Sequence, residues 1–254
     1  MREKKAYLFA GLAILFWSTV ASAFKIALRE YDFIQLIFYA SIVTIVVLFI
    51  FLVLQGRVGQ VFRQTPRQLI HSALLGALNP LVYYLVLFKA YSLLPAQLAQ
   101  SLNMIWPITL ALLSVPLLGQ KMGWKSLLAL FISFIGVVVI ASQGGWSGFE
   151  NTNWFGVFLA AGSSVGWSLY WIFNVRDSRV QIVKLFTNFC FGILYLTVVI
   201  ALFSDFKLEV GASFWAILHI GVFEAGITYV PVSYTHLRAH ETRYTISYSV
   251  LCLK

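Results

Sequence analysis

The chain has 254 residues, of which 60% are hydrophobic and only 11% are charged, and its mean hydropathy is +0.85. A composition this apolar excludes a water-soluble globular protein and indicates a polytopic membrane protein. The formal net charge of +9 does not indicate nucleic-acid binding, because the basic residues are scattered over short loops instead of forming one soluble face.

Eight apolar stretches follow one another along the chain, and each is long enough to cross a bilayer as a helix. A spanning helix needs about 20 mostly apolar residues to cover roughly 30 Å of hydrocarbon. Spans one to eight are predicted at residues 6–28, 33–54, 69–91, 96–118, 124–142, 154–175, 180–203 and 214–231. Runs such as IVTIVVLFIFLVL are apolar on every side, whereas the strands of a membrane barrel alternate. The predicted fold class is therefore all-α.

The basic residues predict the orientation of these spans, because Lys and Arg accumulate in short cytoplasmic loops. They precede span one and fill the loops between spans two and three, four and five, and six and seven, as Arg2, Lys4, Lys5, Arg57, Arg63, Arg67, Lys121, Lys125, Arg176 and Arg179. The intervening loops carry little net positive charge. We therefore predict a cytoplasmic amino terminus and a multi-pass protein of a bacterial cytoplasmic membrane.

The two halves of the chain repeat each other in a fixed register. Residues 18–21 match residues 163–166, and residues 76–79 match residues 221–224, with one offset for both (163 − 18 = 145; 221 − 76 = 145). Spans two and seven need a shift of about three more residues. Because five spans separate the equivalents, the second unit enters the membrane from the opposite side, as in many secondary transporters. The predicted units are residues 1–143 and 144–230.

Three segments give the chain a resemblance to a known family: FWSTVASAFKIAL in span one, LNMIWPITLALLSVPLLGQKMGWKSLLALFISFIGVVVIAS in spans four and five, and GVFEAGITYV in span eight. Together they resemble the EamA-type carriers of the drug/metabolite transporter superfamily. One departure is Gln120, which stands where many members have Glu in the Leu-Gly-Glu turn after span four.

The resemblance implies a ten-helix fold of two five-helix repeats, of which about eight helices are present here. It also implies secondary active transport of a small metabolite or drug-like solute by alternating access, driven by an ion or solute gradient. No cofactor is expected, and the absence of a P-loop motif in the sequence argues against direct drive by ATP.

The last residues, 231–254, do not continue the apolar helix that the resemblance implies. Their sequence, PVSYTHLRAHETRYTISYSVLCLK, resembles a translated sequencing adapter, most closely over residues 232–242. We therefore expect this tail to be foreign and the native protein to continue beyond Val230. His236 and His240 have the four-residue spacing of metal ligands on a helix, but they fall in this tail, and no metal site is predicted.

Glu224 is the sharpest candidate for a functional residue, since it lies near the midplane of span eight. An ionised carboxylate at that depth costs a few kcal/mol or more, so Glu224 is a candidate proton- or cation-coupling group. The alternative is a protonated carboxyl that is hydrogen-bonded to a neighbouring helix. Asn79 is its repeat equivalent in span three, and pseudo-symmetry would direct both side chains to one central cavity.

Span four carries the polar residues Gln97, Gln100, Ser101 and Asn103 as candidates for a transport pathway. Helical spacing puts Gln97, Gln100 or Ser101, and Met104 on one stripe, which is a candidate lining for that pathway. Interhelical hydrogen bonding is the alternative. Pro80 and Pro107 are predicted to kink spans three and four, either for gating or simply through irregular packing.

Deeply placed aromatic residues are candidates for the wall of a cavity that takes apolar, amphipathic or cationic solutes, with plain packing as the alternative. They are Trp17, Tyr83, Trp106, Trp167 and Tyr170. Lys25, near the outer end of span one, is a candidate contact for a substrate carboxylate, or it extends to the interface.

A serine hydrolase and a membrane scaffold without transport are the alternatives to a transporter. Residues 162–166 fit G-x-S-x-G, with Ser164 as nucleophile and His219 as base, but a nucleophile elbow needs a strand-to-helix turn and this segment is helical. Gly162 and Gly166 are instead predicted to form a small-residue face for helix packing. The chain is thus not expected to be an enzyme, whereas a membrane scaffold without transport, or a homodimer, is left open.

Overall fold

The computed structural model describes residues 18–120, 122–141 and 152–227, and all regular secondary structure within these ranges is helical. The helices are residues 18–27 (α1), Phe33–Leu54 (α2), Val58–Val61 (α3), Pro66–Gly76 (α4), Tyr83–Leu93 (α5), Ala96–Asn103 (α6), Trp106–Leu118 (α7), Trp124–Ala141 (α8), Trp154–Arg176 (α9), Gln181–Phe203 (α10) and Ala212–His219 (α11). A further segment, Ile220–Ile227, is π-helical, and residues Ala77–Val82 join α4 to α5 across a break at Asn79. The predicted all-α fold class is confirmed.

Five helical stretches are long and apolar enough to cross a membrane, among the residues that the structure describes. They are Phe33–Leu54, Pro66–Leu93, Ala96–Leu118, Trp154–Arg176 and Gln181–Phe203. These confirm predicted spans two, three, four, six and seven to within three residues at each end. Spans five and eight contain shorter apolar helices, Trp124–Gly136 and Ala212–Glu224. The first part of span one and the end of span eight lie outside the described residues.

Local sequence explains where several helices begin and end. Asp32 caps α2, since its carboxylate accepts hydrogen bonds from the backbone N–H of Ile34 at 2.7 Å and of Gln35 at 2.9 Å. The Gln35 side chain returns a bond to the Asp32 N–H, which completes a capping box. In span four, α7 ends at Leu118 and is capped by Gly119, whose φ of 66° suits a residue without a Cβ.

Both predicted kinks are present. Span three breaks at Asn79, whose φ of −148° and ψ of 118° are extended, directly before Pro80. Span four is interrupted between Asn103 and Trp106, just before Pro107. Proline causes such breaks because it lacks the N–H of the helical ladder and its ring clashes with the preceding turn.

The chain forms two compact units that do not follow the predicted repeat boundary. The first unit comprises residues 1–76 and 179–254, and the second comprises residues 77–178. Each unit therefore takes helices from both halves of the sequence. Compactness reflects which helices pack together, whereas the repeat reflects sequence order, so the division at residue 143 stays a prediction.

In the first unit, two glycines show the repeat as matching backbone contacts. A Cβ added to Gly76 of α4 would overlap the carbonyl oxygen of Asn188 and come within 3.1 Å of the Phe191 Cβ, both on α10. A Cβ added to Gly221 would lie 2.7 Å from the carbonyl oxygen of Ala40 and 2.5 Å from the Cβ of Val43, both on α2. The glycines are 145 residues apart, and their contacts share the larger shift that spans two and seven require (188 − 40 = 148; 191 − 43 = 148).

The loops of the first unit are held by a second pair of contacts in the same two registers. The Tyr31 hydroxyl donates to the backbone oxygen of Glu209 at 2.6 Å. The Arg179 guanidinium donates to the Gln64 side chain. Tyr31 and Arg179 are related by the shift of 148 (179 − 31 = 148), and Gln64 and Glu209 by that of 145 (209 − 64 = 145). Equivalent loop positions are thus hydrogen-bonded in both halves of the repeat, although the side chains involved differ in chemistry.

In the second unit, α9 packs against α5, α6 and α7, while α8 packs against α6 and α7. Gly156 of α9 allows a close approach, since a Cβ there would lie 2.8 Å from the Leu94 Cγ. Most described side chains of α8 are exposed, including Phe131 at 60%. Such an apolar, exposed surface suits lipid contact.

Candidate functional site in the second unit

Asn103, at the end of α6, forms the polar centre of the second unit. Its side-chain amide donates to the Ser163 hydroxyl of α9 at 2.9 Å and to the Tyr83 hydroxyl of α5 at 3.4 Å. Ser163 in turn donates to the backbone oxygen of Ala160 at 2.6 Å. Asn103 is only 4% exposed, so these bonds compensate for the burial of its amide. The kink after Asn103 places this amide at the end of a helix, in the middle of an apolar span.

Trp167 of α9 is the centre of an aromatic cluster beside this amide. Its ring centroid lies 4.8 Å from that of Tyr83, 5.8 Å from that of Trp171 and 6.3 Å from that of Tyr170. The Trp106 ring meets it edge-on at 6.4 Å. Each aromatic pair of this kind contributes about 0.5–1.5 kcal/mol beyond burial. Four of the five predicted cavity aromatics thus lie together, and Trp17 lies outside the described residues.

The polar candidates Gln97, Gln100 and Asn103 of span four lie in different environments. Gln97 is exposed, Gln100 is half-buried, and Asn103 is buried. Gln100 accepts a hydrogen bond from the hydroxyl of Tyr91. Asn103 therefore belongs to the cluster centre, Gln100 is held by a neighbouring aromatic residue, and Gln97 is not enclosed. Spacing along a helix places residues on a face but does not identify what covers that face.

A hydroxyl network on the same helices was not anticipated. The Thr109 and Ser168 hydroxyls are 2.7 Å apart, and they lie 3.0 and 3.1 Å, respectively, from the backbone oxygen of Trp106, within hydrogen-bond distance. Ser164 hydroxyl donates to Ala161 of its own helix at 2.6 Å. The network supplies a donor to the backbone at the break in span four. Its sequence signal is the set of serines spaced along the apolar helix α9, a pattern that supports close helix contact.

The predicted small-residue face of Gly162 and Gly166 stays a prediction. Among the described residues, a Cβ at Gly162 would meet nothing within 4 Å, and one at Gly166 would lie 3.9 Å from the Tyr83 Cβ of α5, an ordinary van der Waals contact. Tighter approaches occur at Gly76, Gly156 and Gly221, where backbone atoms or side chains of another segment face the Cα.

Three further polar candidates are each buried or half-buried in their own spans. Asn79 is fully buried at the break in span three of the second unit. Glu224 is 8% exposed in the π-helical segment of the first unit. Lys25 is half-buried on α1. A shared cavity for Asn79 and Glu224 stays a prediction, as does the role of Lys25.

His219, considered above only as a base, has a different partner. Its Nε2 lies 3.0 Å from the Thr19 hydroxyl of α1, and its ring centroid lies 4.7 Å from that of Phe223 with the ring planes tilted by 43°. Ser164 lies within the continuous helix α9 and not in a strand-to-helix turn, so the local geometry of a nucleophile elbow is not present at that residue. The residues 231–254, with His236 and His240, lie outside the described ranges.

Comparison with known proteins agrees with this architecture. Residues 4–142 match the EamA-like transporter family. A curated relative, the aromatic amino acid exporter YddG of Ancylobacter novellus, is 26% identical over 149 residues, which cover 58% of this chain and 52% of the exporter. The chain thus spans about half the length of this relative. A crystal structure at 22% identity shares the fold, with a TM-score of 0.65 over 98% of this chain and 93% of the other.

The family match covers more than half of the chain, and it is a family of transporters and not of enzymes. It agrees with the resemblance that the motifs of spans one, four and five indicated. The chain belongs to the EamA-like transporter family.

Proposed function

We propose that this protein is a secondary transporter that carries a small solute with an aromatic ring across a bacterial cytoplasmic membrane by alternating access. The observation that carries the proposal is the buried cluster of Asn103, Tyr83 and Trp167 within membrane-spanning helices. The similarity to an aromatic amino acid exporter supports the same class of solute.

The cluster offers two kinds of recognition to such a solute. The faces of Trp167, Tyr83 and Tyr170 offer offset or edge-on contacts to an aromatic ring. The amide of Asn103 and the hydroxyl of Ser163 offer hydrogen bonds to its polar atoms. In the present conformation these groups satisfy one another, so a solute that entered would exchange internal hydrogen bonds and ring contacts for its own.

The energy source in this proposal is an ion or solute gradient, with Glu224 as the coupling group. Glu224 is buried in an apolar span, where an ionised carboxylate is costly. Binding a proton or a cation there would remove that cost, and release on the other side would restore it. If Glu224→Gln leaves both the rate and the pH dependence of flux unchanged, coupling through Glu224 is excluded.

The direct test is flux into vesicles that contain the purified protein. Labelled phenylalanine, tyrosine and tryptophan are compared with leucine and lysine, against vesicles without protein. The expected result is saturable flux of the aromatic solutes that exceeds flux of the others. Flux of leucine above that of the aromatic solutes would reject the solute class, and no flux of any solute would favour a membrane scaffold.

A further inference from the structure

Two glycines at equivalent positions of the repeat lie three residues before the polar candidates of spans three and eight. Gly76 ends α4 and precedes Asn79 by three residues, and Gly221 precedes Glu224 by three residues. Gly76 comes directly before the segment that breaks at Asn79, and Gly221 is the second residue of the π-helical segment Ile220–Ile227. Single-turn π segments are uncommon in helices and frequently mark functional sites.

We propose that Gly221 is a positioning residue for transport, which seats the π-helical segment Ile220–Ile227 on α2 and thereby fixes Glu224, and that its counterpart Gly76 is a second positioning residue, which seats the end of α4 on α10 directly before the break at Asn79. The proposal deepens the proposed function, on which its transport readouts rest. Neither glycine is expected to touch the solute.

The contacts leave no room for a side chain at either position. At Gly221 the nearest atoms to an added Cβ would be the Val43 Cβ at 2.5 Å, the Ala40 carbonyl oxygen at 2.7 Å and the Val43 Cγ1 at 2.8 Å. At Gly76 two of the three nearest atoms, the Asn188 oxygen and the Gly192 nitrogen, are backbone. A methyl group would therefore force the segment away from the crossing helix by about 1 Å, since packed interiors have little free volume.

A hydrogen bond fixes the same point on span eight. The Thr44 hydroxyl of α2 is within 3.0 Å of the backbone oxygen of Gly221 and within 2.9 Å of that of Ala40. The first contact links α2 to the π-helical segment, where a backbone oxygen can be left without its usual helical donor. The Thr44 hydroxyl and the close approach of Gly221 thus fix the segment Ile220–Ile227 against α2. Glu224 lies three residues after Gly221 in this segment.

The close contacts of Gly76 and Gly221 recur with the repeat, which argues that they are not chance details of packing. The two glycines are equivalent in sequence, and the atoms that they approach belong to residues that are equivalent in turn, although the side chains differ between Asn188 and Ala40 and between Phe191 and Val43. What recurs is therefore the backbone approach of a glycine to a crossing helix. By contrast, a Cβ added to Gly136 or Gly162 would meet no atom of the described residues within 4 Å.

The decisive experiment reads the position of residue 224 without any need for transport. In a chain with Cys190 and Cys252 replaced by Ala, Glu224→Cys is labelled in membranes with a water-soluble maleimide, alone and combined with Gly221→Ala or Gly162→Ala. Displacement by Gly221→Ala should change the labelling rate about threefold or more, whereas Gly162→Ala should leave it nearly unchanged. An unchanged rate with Gly221→Ala in a folded, monodisperse protein would overturn the proposal.

Flux and rescue complete the test in the otherwise native chain. Gly221→Ala should lower maximal flux about tenfold, and adding Val43→Gly, which removes two of the three nearest atoms, should restore part of it. Gly76→Ala should also lower flux, but Phe191→Gly should not restore it, because backbone atoms remain in the way. If the wild type carries no solute, the proposed function fails, while the labelling result still decides the positioning role.

Discussion

The two units of this protein contain related helices but use them differently. On α9 of the second unit, Ser163, Trp167 and Tyr170 are buried, and Ser163 and Trp167 meet residues of α5 and α6. Their repeat equivalents on α1 of the first unit are Ser18, Ser22 and Lys25, of which the serines are exposed and the lysine is half-buried. At these equivalent positions, the aromatic side chains are therefore found on α9 and not on α1.

The backbone shows the opposite behaviour. Within the first unit, the contacts of Gly76 with α10 and of Gly221 with α2 follow the repeat closely, whatever side chains surround them. The repeat is therefore retained where helices approach each other closely, and it is lost at the residues that would recognise a solute. A transporter built in this way can change its solute without changing how its helices pack.

The largest effect that separates the two regions is expected from Trp167→Ala. Removing this buried ring takes away its contacts with Tyr83, Tyr170 and Trp171 and leaves a cavity. The free energy of unfolding should fall by about 3–5 kcal/mol. The equivalent change on α1, Ser22→Ala, should fall within about 0.5 kcal/mol of the wild type. Unfolding in mixed detergent micelles measures both, and equal losses would contradict the asymmetry.

The loop anchors of the first unit provide a test of intermediate size. Arg179 donates to Gln64 and, at 2.8 Å, to the Ser72 hydroxyl, so Arg179→Ala should destabilise the protein by about 1.5–3 kcal/mol. Tyr31→Phe removes one hydroxyl bonded to the Glu209 backbone and should cost about 1 kcal/mol. The same unfolding measurement applies. A larger loss for Tyr31→Phe would show that the two anchors are not ranked by charge.

A smaller effect is expected from Thr44→Val, which keeps the shape of the side chain but removes the hydroxyl near the Gly221 and Ala40 oxygens. Hydrogen bonds between helices in a membrane contribute about 0.6 kcal/mol on average. Thr197→Val is a matched control, since the exposed Thr197 hydroxyl donates to the Ile193 oxygen of its own helix at 2.7 Å. Equal unfolding free energies for the two variants would show that the Thr44 bond adds nothing to helix contact.

The smallest effect belongs to the exposed pair in the loop before α11. Glu209 lies 2.7 Å from the Lys207 Nζ and raises the pKa of that lysine through its hydrogen bond and its charge. A raised pKa stabilises the folded protein below the ordinary lysine pKa and loses this contribution as the pH rises through the raised value. Glu209→Gln should therefore lower the pKa of Lys207 in an NMR titration. Near neutral pH, stability should be unchanged within error, because exposed pairs contribute little.

Much of the fold could be predicted from the sequence because the bilayer imposes helix length and apolar composition. Spans two, four and seven begin or end within one residue of their predicted bounds, and the proline residues at 80 and 107 mark real breaks. The packing of the helices into two units could not be predicted in this way. It depends on which faces meet, and apolar helices look alike on every side.

The candidate site was predicted in part. Tyr83, Asn103 and Trp167 stood out because amides and large aromatic rings are conspicuous in an apolar span, and the structure brings them together. Thr109 and Ser168 did not stand out, because their hydroxyls bond backbone atoms that only the break in span four makes accessible. Gln97 was placed on the polar stripe by spacing alone and is exposed.

The most direct test of the account is flux of labelled tryptophan through vesicles that contain Asn103→Ala or Gln97→Ala. Both changes shorten an amide side chain on the same helix, but only the Asn103 amide is buried at the aromatic cluster. We predict that Asn103→Ala lowers maximal flux divided by KM about a hundredfold, in line with about 3 kcal/mol for a buried polar contact, while Gln97→Ala changes it less than about twofold. Equal flux through the two variants would contradict the proposal that the Asn103 cluster binds the solute.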